Sequence, residues 1–241
     1  MLPYLRQQYS REEIMCFSAG ASMGASVVLA GIGSTSISRN ASPGLRLLAA
    51  MPLLFSAQQA AEAVVWLTMG DPASAGVHQL GVSAFLGFAF VVWPAYAPAS
   101  LYAAERDPRR KNVLRVLALW GAVLAASAAL LLARWDPVAS ISGHSIRYDH
   151  IGSESSLLNA VLLLAYVVPT VAPFLVSSTT MARTLGGAFV VSLIATLMVE
   201  RNSLTSVWCF FAALLSALIL VAITREQSVS VVATNQRSPA P

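Results

Sequence analysis

Apolar residues fall in seven long blocks, at about 17–38, 45–69, 79–103, 113–134, 157–177, 182–200 and 204–224. Each is close to the roughly 20 residues that a helix needs to cross a hydrocarbon core about 30 Å thick. Breaks separate them at Asn40–Gly44, Gly70–Gly76, Glu105–Asn112, Trp135–Ser156, Ser177–Thr180 and Arg201–Asn202. The pattern predicts an all-α fold, a polytopic membrane bundle of seven transmembrane helices. The last two breaks are so short that helices five to seven should be tight antiparallel neighbours. The first block carries Gly20 and Gly24 among alanines and serines, a composition suited to close helix contact in lipid. It lacks a basic leader directly before it and a clear small-x-small cleavage site, so it reads as a helix and not a signal peptide. The fifth block holds Pro169 and Pro173, whose lost hydrogen bonds neighbouring helices must compensate. No internal repeat is evident, and an odd number of helices disfavours a simple inverted-repeat transporter.

Composition agrees with lipid as the solvent. Of 241 residues, 56% are hydrophobic and 11% charged, with a mean hydropathy of +0.68. A soluble domain carries about a quarter charged residues. The apolar blocks leave no room for a separate soluble domain. The net charge of +4 comes from basic residues in the breaks, a membrane-orientation pattern that argues against nucleic acid as a partner. Ten of the fifteen Lys and Arg fall on one side, five of them between Arg106 and Arg115, and five on the other. Basic loops stay in the cytoplasm, so the amino end should lie outside and the carboxyl end inside. The expected domains are a 1–16 extension, a 17–224 transmembrane domain with a long outer loop at 135–156, and a disordered cytoplasmic tail at 225–241.

Chemistry centres on Glu62, the only acid or base well inside any block. A charge at mid-bilayer costs about 3 kcal/mol on insertion scales, so such residues face the bundle interior and act there. Gln58, Glu62 and Trp66 are four apart and share one helix face, with Gln59 beside them. That face suits a ligand or proton site; a protonated Glu62 tying helices together is the alternative. The three histidines, His78, His144 and His150, all map to the outer side, as do Cys16 and Cys209. Thiol and imidazole donors would favour copper or zinc. Two cysteines are too few for a disulfide scaffold or an iron–sulfur cluster, although Cys16 and Cys209 could pair in an oxidising compartment. Trp66 and Trp208 join the candidate ligand residues, yet with Trp135 they also fit an interfacial aromatic belt. Residues Ile141–His150 alternate enough to form a short hairpin, able to lie across the outer mouth as a lid.

The runs Met15-Cys16-Phe17-Ser18-Ala19, Gln58-Gln59-x-x-Glu62-x-x-x-Trp66 and Ser206-Val207-Trp208-Cys209-Phe210-Phe211-Ala212-Ala213 resemble a bacterial membrane family of unknown function, DUF6629. The resemblance runs from Met15 onward and carries no activity with it. It implies that chains of this kind begin at the Met-Cys-Phe-Ser position, which makes residues 1–14 an upstream extension. A start at Met15 followed by methionine removal would leave Cys16 with amine and thiol together, a bidentate metal ligand.

Three functions remain open: a metal or small-ligand site in the outer half, a proton-coupled small-solute transporter with Glu62 titrating, and an accessory subunit of a membrane complex or homo-oligomer. A zinc hydrolase of the seven-helix ceramidase-like kind would need histidines in a late helix, and blocks six and seven have none. A retinal pigment is excluded, because the single lysine, Lys111, lies in a break.

Overall fold

The computed structural model describes residues 18–39, 43–142, 145–149, 156–199, 203–221 and 224. Seven of its helices are long and apolar enough to cross a membrane, so the chain is a multi-pass helical membrane protein. They are α1 (Ala19–Ser38), α2 (Pro43–Thr68), α3 (Pro72–Ala104), α4 (Pro108–Leu132), α5 (Leu157–Val176), α6 (Thr180–Met198) and α7 (Leu204–Val221). Between α4 and α5, β1 (Val138–Ser142) and β2 (Ser145–Asp149) form an antiparallel hairpin, with Ile141 opposite Ile146 and Ala139 opposite Tyr148. The end of the bundle bearing this hairpin is called the hairpin end. The opposite one, where α3 passes into α4 at Glu105–Asp107, is the basic end.

Two helices start earlier than their apolar blocks. Asp71 accepts a hydrogen bond from the Ala73 N–H, and Pro72 opens α3 seven residues before the expected start at 79. Asp107 does the same for Arg109 and Arg110, with Pro108 in the first turn of α4, so the basic cluster is itself helical. Both starts combine a capping carboxylate with a proline whose missing N–H costs nothing there.

Close packing of α1 on α2 follows from small residues. The buried face of α1 is Ser22, Ser26, Leu29, Gly33 and Ser36, at helical spacing. Ser56 donates to the Ser26 carbonyl at 2.7 Å, and a Cβ at Gly33 would lie 2.8 Å from the Leu53 backbone nitrogen.

α3 contains a π turn at Phe88–Val92, where the Trp93 N–H bonds back to Phe88. The Ala89 carbonyl loses its helical partner there, because residue 94 is proline. The Tyr166 hydroxyl of α5 donates to that carbonyl instead, at 2.9 Å. The Pro94 carbonyl likewise faces Pro98, which has no N–H. Gly121 of α4 packs against it so closely that any Cβ would collide with the Pro94 oxygen.

At the basic end, the loops are locked together. The Glu105 carboxylate accepts from the backbone N–H groups of Arg106, Asp107 and Ser178 and from the Ser178 hydroxyl, at 2.7–2.9 Å. Burial opposes its charge, but the Asp107 and Ser178 bonds, with that from Arg106, hold the carboxyl down at about 2. Arg110 donates to the Val176 and Ser177 carbonyls at 2.6 and 3.0 Å, covering the open end of α5. A cation there also offsets the negative end of the helix dipole. The basic cluster, expected only to fix topology, thus also contains a structural clamp.

Candidate functional site

Glu62 lies six residues before the end of α2, about 9 Å below the hairpin end. It is buried at 2% exposure, facing the bundle interior. Three helices supply its partners. Ser206 of α7 donates to Oε1 at 2.5 Å, and Gln59 of α2 and Ser22 of α1 donate to Oε2 at 3.3 and 3.5 Å. Ser22 and Ser206 sit in the first turns of helices that start at the hairpin end, so antiparallel packing brings both to the depth of Glu62.

Gln58 continues the polar face one turn deeper. Its Oε1 accepts from the Trp93 indole N–H at 2.7 Å, and the Trp93 ring stacks on Phe55 with centroids 3.8 Å apart. The Cys209 thiol, buried and in no disulfide among the described residues, lies against the Gln58 amide and within electrostatic reach of Glu62. Three buried polar atoms nearby find no hydrogen-bond partner among the described residues: Gln58 Nε2, Gln59 Oε1 and Trp208 Nε1. Unsatisfied groups of this kind are rare in a native interior and mark places where a further partner fits.

The hairpin closes this end of the bundle. Ile146 and Tyr148 are buried in one apolar cluster with Val65, Phe85 and Cys209, and Tyr148 stacks on Phe85 at 4.7 Å. Burial, followed by the nearby Glu62 and Cys209, pushes the Tyr148 phenol well above its ordinary range. The expected hairpin is therefore present, and it covers the polar cluster from above.

Beside the cluster lies an apolar cavity of about 360 Å³ among α3, α4, α5 and α7, with Pro94, Leu124, Leu163, Tyr166, Trp208 and Cys209 in its wall. Trp208 packs edge-to-face on Tyr166 at 5.9 Å and is 7% exposed. It is a core residue and not part of a lipid-facing belt, whereas Trp135 is 53% exposed.

Of the residues expected at the site, Gln58, Gln59, Glu62 and Cys209 come together. Trp208 lies beside Cys209, and Trp66 is half-buried against the hairpin-end cluster. His78 pairs instead with Thr68, Nδ1 to Oγ1 at 3.0 Å, nearer the hairpin end. Cys16, His144 and His150 lie outside the described residues, as do the 1–16 extension and the 225–241 tail. Among the described residues no three His, Cys, Asp or Glu side chains form a metal-holding group. Sequence reasoning missed Ser22, Trp93 and Ser206 as partners of this cluster, whereas Tyr148 lies at the same end as Glu62 and Cys209, as expected. The line of serines on α1 and the serine opening the Ser206–Ala213 run were the available signals.

No curated protein and no solved structure matches the chain. A family described as one of unknown function, DUF6629, matches residues 15–235, nearly the whole length, and the chain belongs to that family.

Proposed function

We propose that the protein binds a small ligand within the hairpin-end half of its bundle, in a bacterial cytoplasmic membrane, with that end outside and the carboxyl end in the cytoplasm. One observation carries the reading. Cys209 lines an apolar cavity of about 360 Å³ and also lies against the polar cluster of Gln58 and Glu62. Ligand pockets are mostly apolar, with a few polar groups to fix orientation, and range upward from about 300 Å³. The Trp208 indole N–H in the cavity wall and the Gln59 carbonyl oxygen in the polar cluster supply unused donor and acceptor capacity among the described residues. Copper or zinc is the metal form of the same proposal, with Glu62 and Cys209 as two of the donors.

A second reading is favoured by the three hydrogen bonds on Glu62, which tie α1, α2 and α7 together. There Glu62 is a helix tie, and the protein an accessory subunit of a membrane complex. Native mass spectrometry and metal analysis of the detergent-purified full chain separate the two, with Ala165→Phe filling the cavity. Ligand binding predicts a bound small molecule or stoichiometric metal in the wild type, with the molecule lost in Ala165→Phe. If the wild type carries neither and instead co-purifies with a stoichiometric protein, the accessory reading replaces it. A transporter would show pH-dependent vesicle uptake abolished by Glu62→Gln.

A further inference from the structure

We infer that the cavity takes one hydrocarbon chain of a phospholipid whose phosphate rests on Arg134; the inference rests on the ligand-binding reading and gives its ligand a class. The cavity is about twelve water volumes in size, at roughly 30 Å³ each, and every buried water needs two to four polar partners. Its wall offers few, and one of them, the Ser127 hydroxyl, already donates to the Val123 carbonyl at 3.0 Å. Water is therefore a poor occupant. Leu131 and Leu162, which also line the cavity, are 43% and 42% exposed on the flanks of α4 and α5, within the membrane spans. What borders them there is lipid, and a flexible hydrocarbon chain is the apolar material at hand.

The head position follows from the end of α4. Leu132 and Trp135 both line the cavity, and Arg134 stands between them. Arg134 is exposed, and among the described residues its guanidinium has no hydrogen bond or ion pair. The exposed Trp135 beside it is the residue type that settles at the headgroup level. A guanidinium at that depth pairs with phosphate through two parallel N–H donors. A chain passing Leu131 into the cavity would leave its phosphate at this arginine.

The test reconstitutes the full chain in phosphatidylcholine vesicles containing a small fraction of phosphatidylglycerol with a photoreactive group on one acyl chain. Adducts are mapped by mass spectrometry. Adducts should concentrate on Leu124, Leu163 and Tyr166 over the lipid-facing Val116, Leu119 and Val123, and fall several-fold in Ala128→Trp or Ala165→Phe. Two filling variants are used because either alone could misfold, and each is accepted only if it elutes and melts like the wild type. Arg134→Gln should lower the adduct yield several-fold, while a diacylglycerol probe with the same chain should be indifferent to it. Adducts spread evenly over α4, unchanged by either filling variant, overturn the inference. Displacement of the probe by inorganic phosphate also overturns it, in favour of a free-anion site. A purified chain that carries a non-lipid molecule or metal, with no cavity adducts, sinks the lipid class but leaves the ligand-binding reading standing. Absence of both removes both.

Discussion

Glu62 supports a direct measurement at the residue scale. Glu62→Ala leaves Ser206, Ser22 and Gln59 without their shared acceptor, and a buried orphaned group costs about 1–3 kcal/mol. Thermal unfolding in detergent should show that loss. Glu62→Gln keeps one carbonyl oxygen for Ser206 and should cost less. Trp93→Phe keeps the stack on Phe55 but removes the N–H bonded to Gln58, a loss of about 1 kcal/mol. The α2 half of this cluster was readable, because Gln58, Glu62 and Trp66 recur every fourth residue in an otherwise apolar helix. Its partners were not. Ser22 and Ser206 lie 40 and 144 residues from Glu62 in the chain, and a serine in a helix of small residues looks like packing material.

At the element scale, the hairpin and the α3–α4 crossing each make a prediction. Tyr148 holds the hairpin down by stacking on Phe85 beside buried Cys209. Tyr148→Ala should therefore raise the rate at which a small water-soluble thiol reagent modifies Cys209 by several-fold, and an unchanged rate would show that the hairpin covers nothing. Gly121→Ala places a methyl group on the Pro94 carbonyl, where backbone and not a flexible side chain must yield. Overpacking of that kind costs about 1–3 kcal/mol, visible as a lower melting temperature. The early starts of α3 and α4 were hidden by the same feature that creates them. Asp71-Pro72 and Asp107-Pro108 look like loop on a hydropathy scale, and only capping chemistry makes them helix starts.

On the scale of the whole molecule, the seven spans were legible because lipid leaves the backbone few options: each crossing must satisfy its own hydrogen bonds, so it must be a long apolar helix. The clamp at the basic end was not, since Glu105 and Arg110 fall in a break where sequence offers charge and no geometry. The Glu105 carboxyl, ordinarily near 4.5, is held at about 2 in the folded chain. A lowered value means that its contribution is complete above about pH 4.5 and is lost as pH falls toward 2. Unfolding temperature should drop across that window, and the drop should be smaller in Glu105→Gln, which starts from a lower plateau. The charge asymmetry expects a carboxyl-terminal green fluorescent protein fusion to fluoresce in the cytoplasm.

The π turn makes α3 a jointed rod instead of a stiff one. The carbonyl that the joint leaves bare, that of Ala89, is served from outside by Tyr166 on α5, while Gly121 on α4 packs against the Pro94 carbonyl one turn on. Those two helices also frame the cavity. A guest that pushed α5 away from α3 would break the bond that satisfies the π turn, so filling the cavity and keeping that turn intact draw on the same contact.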